Sequence, residues 1–325
     1  MPIRWGIIGC GDVARRRVAA AISSDAQSEC LAACRRDPVR LAQFCADFEI
    51  PRAYATYQEL LADGQIDAVY VATPVSAHCA QVVAAAAAGK HVLVEKPMGC
   101  TVAECDHMID ACQRAGVRLG VAYYRRFYPI VERMYQLLQE GSLGELLSIS
   151  AVTANPFQMS PGDEGYWRVL PDVGGGGSLM DIGSHRLNLF RHLGGPLREV
   201  KAYCDTIAAP YAAENVASLI LRFQSGAHGM LQCFFGSPFD PDSFTITGTR
   251  GQISSAPLNG GQLVCELDGQ RHVESHPPAE NLNAPLIADF ASAIQAQRPP
   301  EVAGEEGRET NAFLANAYLR SQLTN

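Results

Sequence analysis

Residues 3–14 read Ile3-Arg4-Trp5-Gly6-Ile7-Ile8-Gly9-Cys10-Gly11-Asp12-Val13-Ala14. The short apolar run suits a buried strand, and it gives way at once to G-x-G-x-x-A and a helical pattern through Ile22. The first glycine permits a tight turn, the second lets backbone approach a pyrophosphate, and Ala14 allows close packing of helix on strand. A helix N-terminus also favours an anion, so Gly9, Gly11, Asp12 and Val13 are the expected dinucleotide cradle. A purely structural glycine turn is the alternative. The strand before and the helix after favour a Rossmann unit.

The next strand, residues 29–34, ends in Arg35-Arg36-Asp37. NAD-selective proteins usually present a carboxylate at this place to the ribose 2'-hydroxyl. Here two guanidiniums come first, and they suit the 2'-phosphate of NADP. In the competing reading the arginines are solvated and Asp37 holds the ribose. Amphipathic segments at 38–48 and 57–61 then lead to an apolar strand at 68–72. After it comes Thr73-Pro74-Val75-Ser76-Ala77-His78, where Pro74 limits the backbone and the Thr73 hydroxyl suits a phosphate or ribose. His78 is either a cofactor neighbour or an ordinary helix-start residue.

A further short apolar run, His91-Val92-Leu93-Val94, ends in Glu95-Lys96-Pro97. Ligands of open α/β sheets sit beyond the carboxyl ends of the strands, so Glu95, Lys96 and Pro97 are placed to meet a cofactor. The bland reading of Lys96 is a surface lysine in a turn. A helix at 102–115 and a strand at 118–122 complete the expected parallel sheet.

At 325 residues the chain is longer than one core usually supports, so two domains are expected, 1–122 and 123–325. A net charge of -8 argues against general nucleic-acid binding. No apolar run approaches the ~20 residues of a membrane span, and the chain enters its first strand without a charged leader, so a cytoplasmic protein is expected. The cysteines number 11 with no C-x-x-C pair, which suggests neither a disulfide framework nor a metal site.

Beyond residue 122 the pattern changes. Tyr123-Tyr124-Arg125-Arg126-Phe127 precedes an amphipathic helix at 129–140, and strand-like runs follow at 146–153, 200–204, 216–223, 228–235, 244–247 and 263–267. Helices at 285–297 and 308–323 close the chain. The expectation is a large, mostly antiparallel sheet, covered on its second face by helices or by another subunit. Within this half, Gly174-Gly175-Gly176-Gly177 precedes Ser178, an expected helix cap, and a helix ended by Gly194-Gly195-Pro196. Asp181, His185 and Asn188 fall at i, i+4 and i+7 on one face of that helix, which is either solvated or lines a cleft.

The glycine turn, the Glu95-Lys96-Pro97 strand end and the glycine-rich approach to Asp181 and His185 together resemble the Gfo/Idh/MocA oxidoreductases. These are the relatives of glucose-fructose oxidoreductase and inositol dehydrogenase, and the resemblance covers essentially the whole chain. It implies a Rossmann domain followed by an α/β domain whose open sheet forms the subunit interface of a homodimer or homotetramer. It also implies that Lys96, His185 and Asp181 are the catalytic residues, that Lys96-Pro97 is cis, and that NADP, or else NAD, is the cofactor. Trp167-Arg168 resembles a pair found in reductases related to 1,5-anhydrofructose reductase, and Tyr124, Arg126 and Asn188 join it as expected substrate contacts. One position departs from the family pattern. Many members carry Asn after Thr-Pro, whereas Val75 leaves only backbone there.

Hydride transfer also needs a proton moved to or from the hydroxyl oxygen. Imidazole titrates near neutrality, so His185 suits that task with Asp181 fixing its tautomer, while Lys96 holds or deprotonates the same hydroxyl. The expected activity is therefore oxidation or reduction of a sugar, polyol or related diol, with no metal, nucleic acid or membrane involved. The other readings are a catalytically silent nucleotide-sensing regulator and an NAD-retaining glycosidase.

Overall fold

The computed structural model describes residues 1–322, so Leu323, expected to end the last helix, lies outside the described residues. The chain divides into two compact units, residues 1–124 with 280–311, and residues 125–279 with 312–325.

The first unit holds six strands: β1 (Ile3–Ile8), β2 (Ser28–Cys34), β3 (Arg52–Tyr54), β4 (Ala68–Val71), β5 (His91–Val94) and β6 (Leu119–Val121). Their order is β3-β2-β1-β4-β5-β6 and every pairing is parallel. The order reverses between β1 and β4, the switch point at which doubly wound sheets bind nucleotides. Register aligns the strand ends: Ile8 pairs with Cys34 and Val71, Val71 with Val94, and Val94 with Val121. The glycine turn, the arginine pair, Thr73-Pro74 and Glu95-Lys96-Pro97 therefore all leave the sheet along one edge.

Burial on both faces explains the near-continuous apolar character of these strands. Trp5 is fully buried, donates its indole N–H to Ser28 Oγ at 3.0 Å, and lies 5.6 Å from the Phe290 ring. Phe290 belongs to the helix Ala284–Gln295. This corrects the expectation that residues 123–325 form a single C-terminal domain. An amphipathic segment announces that it will bury a face, and the sequence does not say against which sheet.

The second unit is built on eight strands: β7 (Leu146–Asn155), β8 (Leu197–Asp205), β9 (Val216–Phe223), β10 (His228–Phe235), β11 (Asp242–Gly248), β12 (Gly251–Ser255), β13 (Gln262–Leu267) and β14 (Gln270–Ser275). The order is β14-β13-β12-β11-β7-β10-β9-β8, with β7 and β10 parallel and the other neighbours antiparallel. Alternation along β9 buries Ala217, Leu219, Leu221 and Phe223 on one face, where Phe190 of the helix Ser184–Gly194 meets Phe244 edge-on at 5.6 Å. The opposite face carries Tyr203, Ile220 and Met230, each more than half exposed. Among the described residues no helix is long and apolar enough to cross a membrane. The cysteines are all free thiols.

Candidate active site

The first unit supplies a cofactor edge. Gly9 adopts φ 95°, and a Cβ on it would lie 2.8 Å from the Ala72 carbonyl, so only glycine fits the crossing from β1 into the helix at 12–24. Arg15 N donates to Gly11 O at 3.0 Å, closing the first turn beside the amides of Asp12 and Val13. Asp12 pairs with Arg16 at 2.7 Å, both well exposed. That helix contains a π turn, Ala14–Val18, of the kind often found where helices serve a site.

At the end of β2, Arg35 donates to the Cys10 carbonyl within the glycine turn, and Arg36 is exposed. Asp37 is the N-cap of the helix Pro38–Asp47, accepting from Val39 N at 3.0 Å and Arg40 N at 3.1 Å. These bonds hold its carboxyl below the ordinary carboxylate range, with the Arg40 and Arg35 charges adding to the effect. The one carboxylate that would have read a ribose 2'-hydroxyl is thus engaged by its own helix.

Two expected cofactor residues, Thr73 and His78, make bonds within the protein, and His78 opens the helix His78–Ala87 as its second reading had it. The Thr73 hydroxyl donates to Gln81 Oε1 at 2.7 Å, so its proton is committed inside the protein. His78 is fully buried. Its Nε2 lies 2.9 Å from the Thr73 carbonyl, and its Nδ1 lies 3.2 Å from the carbonyls of both Pro97 and Met98. The ring turns inward from its helix start and ties the loop after β4 to the loop after β5, instead of lining the edge. Burial lowers its pKa, partly opposed by those carbonyls. Val75 is buried too.

Glu95 and Lys96 are half-buried and the Lys96-Pro97 bond is cis, as the family resemblance implied. Glu95 Oε1 accepts from the Tyr70 hydroxyl at 2.7 Å, and Oε2 accepts from Lys96 N at 3.1 Å. Asn283 Nδ2 in turn donates to the Tyr70 hydroxyl at 3.3 Å. Burial pushes the Glu95 carboxyl up, while the Lys96 charge, the Tyr70 bond and the Arg17 charge pull it down. Arg17 also covers the ring of the buried Tyr124 at 4.9 Å.

The second unit supplies a helix at 178–194 that opens with a π turn, Leu179–Gly183. Asp181 lies in this turn, so its angular relation to His185 departs from the α-helical face assumed from the sequence. The Asp181 carboxylate pairs with Arg168 Nε at 3.7 Å, and Arg168 stacks over the Trp167 ring at 4.8 Å. The structure therefore brings together Trp167, Arg168 and Asp181. His185 and Asn188 are both buried on the same helix, and Arg126 is buried as well.

Ser178 does not cap this helix through its side chain; its hydroxyl donates to the Cys233 carbonyl at 3.4 Å. The capping acceptor is Glu214, remote in sequence and therefore invisible to a local pattern. Sequence reasoning missed Glu214, which holds the start of the Asp181 helix, and Tyr70 with Asn283, which hold Glu95. Elsewhere in this unit Cys265, His272 and Glu274 come close enough to hold a metal ion, but Arg133 donates to both Glu274 oxygens, at 2.8 and 3.2 Å.

The arrangement fits a dinucleotide: a glycine turn that no side chain could replace, followed by a helix N-terminus, at a topological switch point, with the Lys96 turn on the same sheet edge. Comparison with known proteins agrees. Residues 3–123 match the oxidoreductase family with an NAD-binding Rossmann fold, and residues 131–254 match the GFO/IDH/MocA C-terminal domain. The chain is 31% identical over 310 residues to a D-xylose 1-dehydrogenase (NADP+) of Haloferax volcanii, covering 93% of this chain and 92% of that one. It is 30% identical over 315 residues to a 1,5-anhydro-D-fructose reductase of Ensifer adhaerens, covering 94% and 92% respectively. An aldose-aldose oxidoreductase from Caulobacter crescentus, solved with glycerol, superimposes with a TM-score of 0.91 at 27% identity over 100% of this chain and 99% of that one. The chain belongs to the Gfo/Idh/MocA family of NAD(P)-dependent oxidoreductases.

Proposed function

We propose that this protein is an NADP-preferring dehydrogenase or reductase acting on a CH–OH carbon of a sugar, polyol or related diol. The observation that carries the reading is the shared sheet edge, where the register of β1, β4 and β5 lines up the Gly9 turn with the Lys96 turn. Similarity to a D-xylose dehydrogenase and an anhydrofructose reductase supports the substrate class. The capping role of Asp37 beside Arg35 and Arg36 supports NADP over NAD.

Bound nicotinamide supplies or accepts the hydride. The chain's own task is to hold the dinucleotide and to handle the proton on the reacting hydroxyl. Gly9, Gly11, Asp12 and Val13 present backbone to the pyrophosphate, and Arg35 and Arg36 meet the 2'-phosphate. Glu95 fixes the Lys96 backbone through its amide, so the ammonium can polarise the hydroxyl. His185 takes or returns the proton, and the Asp181–Arg168 pair orders the residues around it. Trp167 and Arg168 contact substrate hydroxyls. We assign the protein to the cytoplasm, in keeping with its free thiols, and to a homo-oligomer formed through the exposed face of the β7–β10 sheet.

The test is a panel of aldoses, polyols and anhydro sugars with NAD and NADP, followed at the nicotinamide absorbance band. Turnover with NADP favoured by about tenfold, or about 1.4 kcal/mol, is expected. A preference of that size for NAD would overturn the assignment of Arg35 and Arg36.

A further inference from the structure

The helix bearing Asp181 and His185 begins with three successive amides that all find their acceptor in one residue. Gly177 N donates to Glu214 Oε2 at 2.8 Å, Ser178 N to the Glu214 main-chain oxygen at 3.1 Å, and Leu179 N to Glu214 Oε1 at 2.8 Å. Tyr318 adds a fourth donor, its hydroxyl lying 3.0 Å from Oε1. Glu214 is buried at the positive end of the helix, where a carboxylate is favoured. Burial pushes its pKa up, and the three side-chain bonds act against that shift.

The approach is too close for any side chain on the strap. A Cβ on Gly177 would sit 1.9 Å from the Glu214 carbonyl oxygen, and one on Gly176 would sit 2.2 Å from the Tyr318 hydroxyl. The glycine run therefore lets the backbone close onto the Glu214–Tyr318 pair. The π turn that follows departs from the regular α ladder, so its height and rotation need an outside anchor. Asp181 N donates to Gly177 O at 2.9 Å, which links the anchored strap directly to Asp181.

We infer that Glu214, steadied by Tyr318, is a positioning residue that sets the placement of Asp181 and His185 for proton transfer. The inference rests on the proposed role of His185, and its test is chosen to stand apart from that role. Glu214→Gln keeps the size of the side chain but turns an amide NH2 toward either Gly177 N or the Leu179 N and Tyr318 hydroxyl pair, donors that a carboxylate oxygen accepts from. Tyr318→Phe keeps the carboxylate and removes one donor.

In each variant, bound to NADP, the His185 imidazole resonance and its titration midpoint are followed by NMR, assigned by its loss in His185→Asn. Both should move in both variants, while the other seven of the eight histidines hold their positions. With D-xylose as the probe substrate, kcat should fall by about tenfold or more at a temperature well below melting, with KM for NADP changed by no more than about twofold. An unmoved His185 resonance and midpoint in a folded variant would overturn the inference. If Glu214→Gln does not fold, Tyr318→Phe is judged by the same two readings. If the wild type does not turn over D-xylose, the best sugar of the panel replaces it as probe, and the resonance decides the role of Glu214 in either case.

Discussion

On the proposed roles, Lys96→Met and His185→Ala are each expected to lower kcat by about a hundredfold or more while leaving NADP affinity nearly unchanged, because proton handling and not cofactor binding is what each would lose. Equilibrium binding of NADPH beside steady-state turnover checks this, and near-normal turnover in either variant removes that residue from its assigned role. Their candidacy was legible because each stands next to a backbone signal, a strand end or a glycine run. Tyr70 and Asn283 were not, since a tyrosine inside an apolar strand reads as core and its amide partner lies 213 residues away. His78 was legible as a residue but not in its work, because a helix-start histidine gives no sign of which way its ring turns. Its pKa is lowered from 6.5 by burial, so the unfolded chain binds the extra proton first on acidification. Stability contributed by the neutral ring is present above pH 6.5 and is lost as pH falls from there toward the lower folded-state value. His78→Gln should therefore flatten the pH dependence of the urea midpoint across this window, and an unchanged slope would contradict the burial argument.

At the scale of elements, the proposed choice of cofactor turns on one cap at the end of β2. Asp37 serves the amides of its own helix, and on the proposed reading Arg35 and Arg36 meet the 2' substituent. Replacing both arginines by alanine should cost NADP about tenfold or more in kcat/KM while changing NAD little, measured as the ratio of the two. Equal losses for both cofactors would mean the arginines act only through packing. The parallel strands were legible because burial on both faces gives continuous apolar runs, and the glycine turn fixed the first of them. β3, β12 and β14 escaped. β3 is three residues long, and β12 and β14, with Gln252-Ile253-Ser254 and Arg271-His272-Val273-Glu274, offer too few apolar residues for a period to register. The cap on the helix at 178–194 escaped for another reason: Ser178 satisfies the local rule, and Glu214 wins by accepting three amides where a serine hydroxyl accepts one.

At the scale of the whole molecule, chain order and spatial grouping part company at residue 280. The segment 280–311 returns to the first unit, where Asn283 reaches Tyr70 and Phe290 meets Trp5. A truncation before this segment should therefore not leave a folded dinucleotide-binding unit. The exposed Tyr203, Ile220 and Met230 face supports a homo-oligomer. Light scattering should give a mass at least twice the 35.0 kDa of one chain, falling toward one chain in Ile220→Asp, and a wild-type mass of one chain would rule the interface out. The proposed chemistry is direct hydride transfer between a substrate CH–OH carbon and NADP. It is tested by supplying the best sugar of the panel deuterated at the carbon that is oxidised and examining the reduced cofactor. Deuterium recovered at C4 of the nicotinamide by the wild type, and at a rate lower by about a hundredfold or more in Lys96→Met, is the predicted result. Product formed without label in the nicotinamide would contradict it.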